Sequence, residues 1–243
     1  MPGYMGGTVV AEVLAGPDDN KERLDQAMRD LHDFINATDG EYKPRLSTCY
    51  REGGLRQLLA EQLQEAAIEL IVIGSATADC SVGHVFDGSD TYKIIETATC
   101  PVLIVPHRAG LDQLEKIVFA TNFEPQDLEA LTYLDNLAKV FNFDIEVVHV
   151  TLNGDKDEVT LARETDFRAQ LAKFRKPISY KEIRGKEVTG RLNRISKQTG
   201  ADLLAMTHHQ YNLFKRLLAD SEAKKELAHQ KIPLLLFPID LKK

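Results

Sequence analysis

The chain has 243 residues, 43% of them hydrophobic and 28% charged, which suits a folded protein of two ordinary domains rather than a disordered one. Its net charge of -7 argues against a broad nucleic-acid-binding surface. No apolar run reaches the about 20 residues a membrane helix needs, Met1 to Gly7 lacks the features of a signal peptide, and Cys49, Cys80 and Cys100 show no metal-ligand spacing, so a reduced cytoplasmic protein with no membrane and no nucleic-acid partner is expected.

Taken in chain order, Thr8 to Leu14 is the first expected strand, followed by a helix over Glu22–Ile35 and a strand over Arg45–Tyr50. Leu55 to Ala66 reads as a helix with Leu58, Leu59, Leu63 and Ala66 on its inner face. The apolar run Ala67-Ile68-Glu69-Leu70-Ile71-Val72-Ile73-Gly74 is a buried-looking strand, Gly88-Ser89-Asp90-Thr91 opens a helix, and Pro101-Val102-Leu103-Ile104-Val105-Pro106 is a further strand. The polar stretch Arg108 to Gln113 marks the domain junction, dividing the chain into 1–112 and 113–243.

The second half begins with the strand Lys116 to Thr121. Pro125 then opens a helix with Asp127 and Glu129 in its first turn, where acidic groups suit the helix dipole. Its expected apolar stripe is Leu128, Leu131, Leu134, Leu137 and Val140. A strand over Asp144–Val150, a helix over about Glu158–Phe174, a strand over Ile178–Ile183, a turn at Gly185 and a helix over Val188–Gln198 follow. Gly200 caps that helix, and Leu203–Met206 is the next strand. Ser221–Gln230 is the last helix and Leu234–Phe237 the last strand. Near-continuous apolar strands alternating with helices indicate a parallel sheet covered on both faces, whose ligands lie outside the carboxyl ends of the strands.

The two halves repeat one pattern. Ala67 to Gly74 is matched by Gly200 to Thr207 at an offset of 133 residues, and Pro101 to Pro106 by Pro233 to Pro238 at 132. A period that long means two homologous domains. The first copy, however, starts at the equivalent of the second strand and lacks the counterpart of Leu114 to Phe143. Either the natural start lies further upstream or something else fills the centre of the first sheet.

Chemistry is concentrated where Gly74-Ser75 ends a strand and Gly88-Ser89 begins a helix. Glycines let backbone amides approach a ligand closely, and a helix amino terminus favours phosphate, with Ser89 and Thr91 as further hydroxyl donors. The same residues are also ordinary turn and capping choices. In the second copy Thr207, His208, His209 and Gln210 stand in the equivalent loop, and Asp220 precedes Ser221, so a carboxylate there would repel a polyphosphate. His208 and His209, with His149 near the end of a neighbouring strand as a third ligand, raise a metal site, but adjacent residues on an extended chain point apart, and polar filling of an emptied cleft is the reading adopted. Cys80 reads as a small loop residue, Cys49 and Cys100 as core, and Phe214 with Leu213, Leu217 and Leu218 as a packed helical turn.

Leu70-Ile71-Val72-Ile73-Gly74-Ser75, Gly88-Ser89, Pro101 to Pro106 and the opening Ile117-Val118-Phe119-Ala120-Thr121-Asn122-Phe123 of the second half together resemble the universal stress proteins in their tandem form. The resemblance implies an α/β fold of two tandem five-stranded parallel-sheet domains, adenine nucleotide alpha hydrolase-like, with strand order 3-2-1-4-5 and the first domain lacking its first strand and helix. It also implies pairing through the last strands, hence an intramolecular pseudo-dimer, with a homodimer and an unidentified protein partner as further expectations.

Many members bind ATP through Gly-x-x-Gly, nine residues, then Gly-Ser/Thr. The match here is partial: Thr77 stands for the second glycine and ten residues intervene. The family's nucleoside-contacting Asp at the first strand's end is Asn122 in the second copy, which carries no charge. The implied cofactor-binding set, for ATP or AMP in the first domain only, is Val13, Gly74, Ser75, Thr77, Gly88, Ser89, Asp90 and Thr91. The leading expectation is a non-catalytic stress-response protein, with an adaptor binding no nucleotide as the alternative. A slow ATPase is a third, for which no nucleophile–base pair or phosphate-loop lysine can be assigned.

Overall fold

The computed structural model describes residues 53–65, 67–75, 88–106, 113–152, 157–185, 194–195, 198–207 and 232–241, together with positions 22, 25, 26, 28–30, 32, 33 and 37. Its strands are β1 (Ile71–Ser75), β2 (Val102–Pro106), β3 (Lys116–Ala120), β4 (Asp144–Leu152), β5 (Ser179–Gly185), β6 (Leu203–Thr207) and β7 (Leu234–Phe237). The helices with continuous description are α1 (Leu55–Glu65), α2 (Gly88–Thr97), α3 (Pro125–Phe141) and α4 (Glu158–Leu171). The scattered positions between 22 and 37 are helical as well, where a helix is expected. No described helix is long and apolar enough to cross a membrane.

All seven strands join one sheet in the order β1-β2-β7-β6-β3-β4-β5. Read from β5, the second half runs 3-2-1-4-5, the order the resemblance implies, and every pair within it is parallel. The first half contributes β1 and β2, a parallel pair corresponding to strands four and five. The described strands of the two halves form one continuous sheet. The join is antiparallel, between β2 and β7, with Val102 opposite Leu236, Leu103 opposite Leu235 and Ile104 opposite Leu234. Both strands are apolar, so leaving either as an edge would strand backbone donors and acceptors beside a hydrophobic surface; pairing them satisfies both.

Alternation along the strands sends side chains to two cores, one on each face of the sheet. One holds Ile73, Ile94, Ile95 and Val102 of the first half with Val118, Met206, Leu234 and Leu236 of the second. The other packs α3 and α4 on the sheet through Leu131, Leu134, Phe167 and Leu171, against Ile117, Phe119, Val147, Ala205 and Leu235.

Pro125 opens α3 as expected, and Asn142 in the left-handed conformation ends it, its N–H reaching the Ala138 carbonyl at 3.0 Å. The buried face of α3 is Asp127, Ala130, Leu131, Leu134 and Ala138, not the expected run to Val140, which is 75% exposed. A spacing of three falls about 60° short of a full turn at each step, so the four steps from Leu128 to Val140 walk off the face. Gly185 also departs from expectation: it is the buried last residue of β5, paired with Leu152, not a turn. In α1 no residue is fully buried; Leu55 and Leu59 pack against the core while half-buried. Gly200 has φ +65, as its capping role requires.

Candidate functional site

In the first half, β1 and β2 are parallel neighbours joined through α2, so α2 begins at the carboxyl end of β1. Gly74 and Ser75 close β1, opposite Val105 and Pro106, and Gly88, Ser89, Asp90 and Thr91 form the opening turn of α2. Gly74 is exposed, and a Cβ built on it meets no described atom within 4 Å. Gly74 has no positive φ, and among the described residues no atom would crowd a side chain there. Thr91 is buried. Val13 and Thr77 lie outside the described residues, as do Cys49, Cys80, His208, His209, Gln210, Phe214, Asp220, Ser221 and the Thr8–Leu14, Arg45–Tyr50 and Ser221–Gln230 elements.

The same position in the second half is built differently. Thr207, 133 residues after Gly74, is buried at the end of β6 and donates its hydroxyl to Asp127 Oδ1 at 2.6 Å. Asp127 has no exposed surface. Its Oδ2 accepts from Thr121 Oγ1 at 2.7 Å and from the N–H groups of Asn122 and Glu124 at 3.1 and 3.2 Å. Burial raises its pKa above the ordinary carboxylate range, against the pull of these hydrogen bonds.

Beside this carboxylate, Phe123 turns the chain with φ +63, uncommon for a bulky residue, and its N–H reaches Thr121 Oγ1 at 2.9 Å. Its ring lies 4.3 Å from the His149 ring and 5.6 Å from Phe167. His149 Nδ1 sits 2.8 Å from the Thr121 carbonyl, so that nitrogen is the donor and carries the proton. Thr121, Phe123, Asp127, His149 and Thr207 are all buried at the carboxyl ends of β3, β4 and β6, where a doubly wound sheet opens its crevice. Asn122, whose N–H reaches Asp127, is exposed.

The sequence places Asp127 in a helix first turn but does not reveal it as the acceptor at the centre of this cluster. The signal was available: Thr121 and Thr207 end two neighbouring apolar strands, and a buried carboxylate needs such donors. Among the described residues, no three His, Cys, Asp or Glu side chains gather as a metal site.

Comparison with known proteins agrees with this architecture. No curated protein matches the sequence. A universal stress protein from Archaeoglobus fulgidus DSM 4304 is similar in structure, with TM-score 0.62 and 14% identity over 91% of this chain and 78% of that one. A functionally unknown protein from Pseudomonas aeruginosa PAO1 is similar with TM-score 0.59 and 16% identity, covering 96% of this chain and 92% of that one. At such identities the likeness concerns the fold. The family model for the Universal stress protein family matches residues 113–238, over half of the chain, and the chain belongs to that family.

Proposed function

We propose that the chain is a non-catalytic regulatory member of its family, with a single adenine-nucleotide site of the ATP or AMP type in the first half, where Gly74 and Ser75 meet the opening turn of α2. The observation that carries this reading is the contrast at one repeated position. Gly74 is exposed and meets no described side chain, while its counterpart Thr207 is buried against Asp127. A polyphosphate would find backbone amides and a helix amino terminus in the first half, and a buried carboxylate in the second. The antiparallel β2–β7 join supports the intramolecular pseudo-dimer that the repeat suggests. Binding would act by shifting an association equilibrium, to the extent that the nucleotide prefers one state.

A second reading, an adaptor that binds no nucleotide, draws on Val72, an apolar residue 56% exposed on β1 two positions before Gly74. Isothermal titration with ATP, ADP and AMP separates the two. Saturable heat from one site per chain, lost in Gly88→Asp, is expected; no heat at millimolar nucleotide would establish the adaptor instead.

A further inference from the structure

The second half carries two exposed apolar patches, and their surroundings bear opposite charge. The first is the tip of α3. Val140 and Phe141, the last two residues of that helix, are 75% and 60% exposed, and Lys139 beside them is exposed as well. Lys176 Nζ donates to the Asn142 side-chain oxygen at 3.0 Å, which holds the chain after α4, with exposed Lys173 and Arg175, against this tip. Lys139 and Lys173 donate to the neutral amides of Asn136 and Gln170, which leaves their charge uncancelled, while Asp144 at 3.7 Å offsets Lys176.

The second patch is the opening of α4. Val159 and Leu161 are 61% and 49% exposed. Asp157 and Glu158 stand beside them, and Asp166 lies two turns on from Val159 along the same side of the helix; all three are exposed. Arg163, the cation within this stretch, is held by Glu124 at 3.0 Å. Apolar side chains grouped in water and rimmed by charge have the make-up of an association surface.

The two patches lie at opposite ends of the sheet. α3 runs from the carboxyl end of β3 to the amino end of β4, and α4 starts beyond the carboxyl end of β4, so about 25 Å of helix separates them. One chain cannot bring them together, but two chains can. We propose that the chain associates head to tail with a second copy of itself. Val140 and Phe141 of one copy seat on Val159 and Leu161 of the next, with the lysines and Arg175 around the first pair facing Asp157, Glu158 and Asp166. A two-fold arrangement would instead set each patch on its own like charge. The contact uses second-half residues alone, so it stands whether or not the first half binds nucleotide.

The test is sedimentation velocity of the full chain at about 0.15 M salt, where screening over about 8 Å removes most of the long-range repulsion between copies of net charge -7. The mass of the parent should rise with protein concentration. Phe141→Glu and Val159→Arg each set like charge against like, so each variant alone should associate about tenfold more weakly or not at all. An equimolar mixture of the two should associate again, because each supplies the patch the other has lost. Both positions are exposed, so both variants should keep the parent's circular dichroism and thermal midpoint. A parent that stays monomeric up to millimolar concentration overturns the proposal. So does association that survives either variant, or a mixture that associates no better than its components.

Discussion

Asp127 is tolerated without any exposed surface because two hydroxyls and two backbone N–H groups converge on it. Removing the acceptor leaves those donors buried and unsatisfied, which costs more than the bonds themselves contributed. Asp127→Ala should lower the unfolding free energy by about 2–4 kcal/mol, and Asp127→Asn by less, because its amide oxygen still accepts. Urea denaturation measures both. The same residue sets a pH dependence. Burial holds its folded pKa above the ordinary 3.8, so the stability it contributes is full below that value and lost as pH rises through the folded pKa. Glu146 behaves oppositely. Burial pushes it up, but Lys116 and Lys181, at 2.6 and 2.7 Å, outweigh burial and hold it below its ordinary value, so its contribution is lost as pH falls. Both proteins keep Glu146, so it cancels in their difference. Wild type should lose stability relative to Asp127→Asn as pH rises from 3.5 to 7. A gain would mean that the fold favours the ionised carboxylate.

At the scale of elements, α3 separates what the sequence disclosed from what it hid. Pro125 fixed its start, and the surrounding strands β3, β6 and β7 were legible as continuous apolar runs, since a strand buried on both faces leaves no alternation to misread. Its rotation was not legible. Leucines dominate the expected stripe by size, yet the small Ala130 and Ala138 allow the close approach to the sheet, and Asp127 enters the buried face because its partners lie on β3 and β6. Polar residues inside a core are invisible to a hydrophobic pattern; only the packed partners reveal them. In the site proposed for the first half, Gly74 and the start of α2 were legible as motif pieces. The exposure of Leu70 and Val72 beside them was not, because both read as core by composition. The observed rotation predicts a contrast. Leu134→Ala, at a fully buried position, should cost about 2–5 kcal/mol, while Val140→Ala should stay within about 0.5 kcal/mol. Comparable losses at both positions would restore the leucine stripe as the true face.

For the whole molecule, the β2–β7 join decides whether the halves behave as one body. Only three residue pairs make up its register, but the cores extend across it. Ile73, Ile94, Ile95 and Val102 share one core with Val118, Met206, Leu234 and Leu236, and Leu103 packs against the other, so neither half buries its apolar surface alone. Cooperative unfolding follows when the loss of one part exposes the core of the other. Hydrogen exchange should therefore show the amides of β1 and β3 opening with similar free energies, and urea unfolding should give one transition. Leu236 is 2% exposed and faces Val102 across the join, so Leu236→Asp places an unpaired charge at the centre of the shared core. It should lower protection in β1 and β3 together, by several kcal/mol on the scale of a buried unpaired charge. Loss confined to β1 and β2, with β3 still fully protected, would show instead that the second half holds its fold without the first.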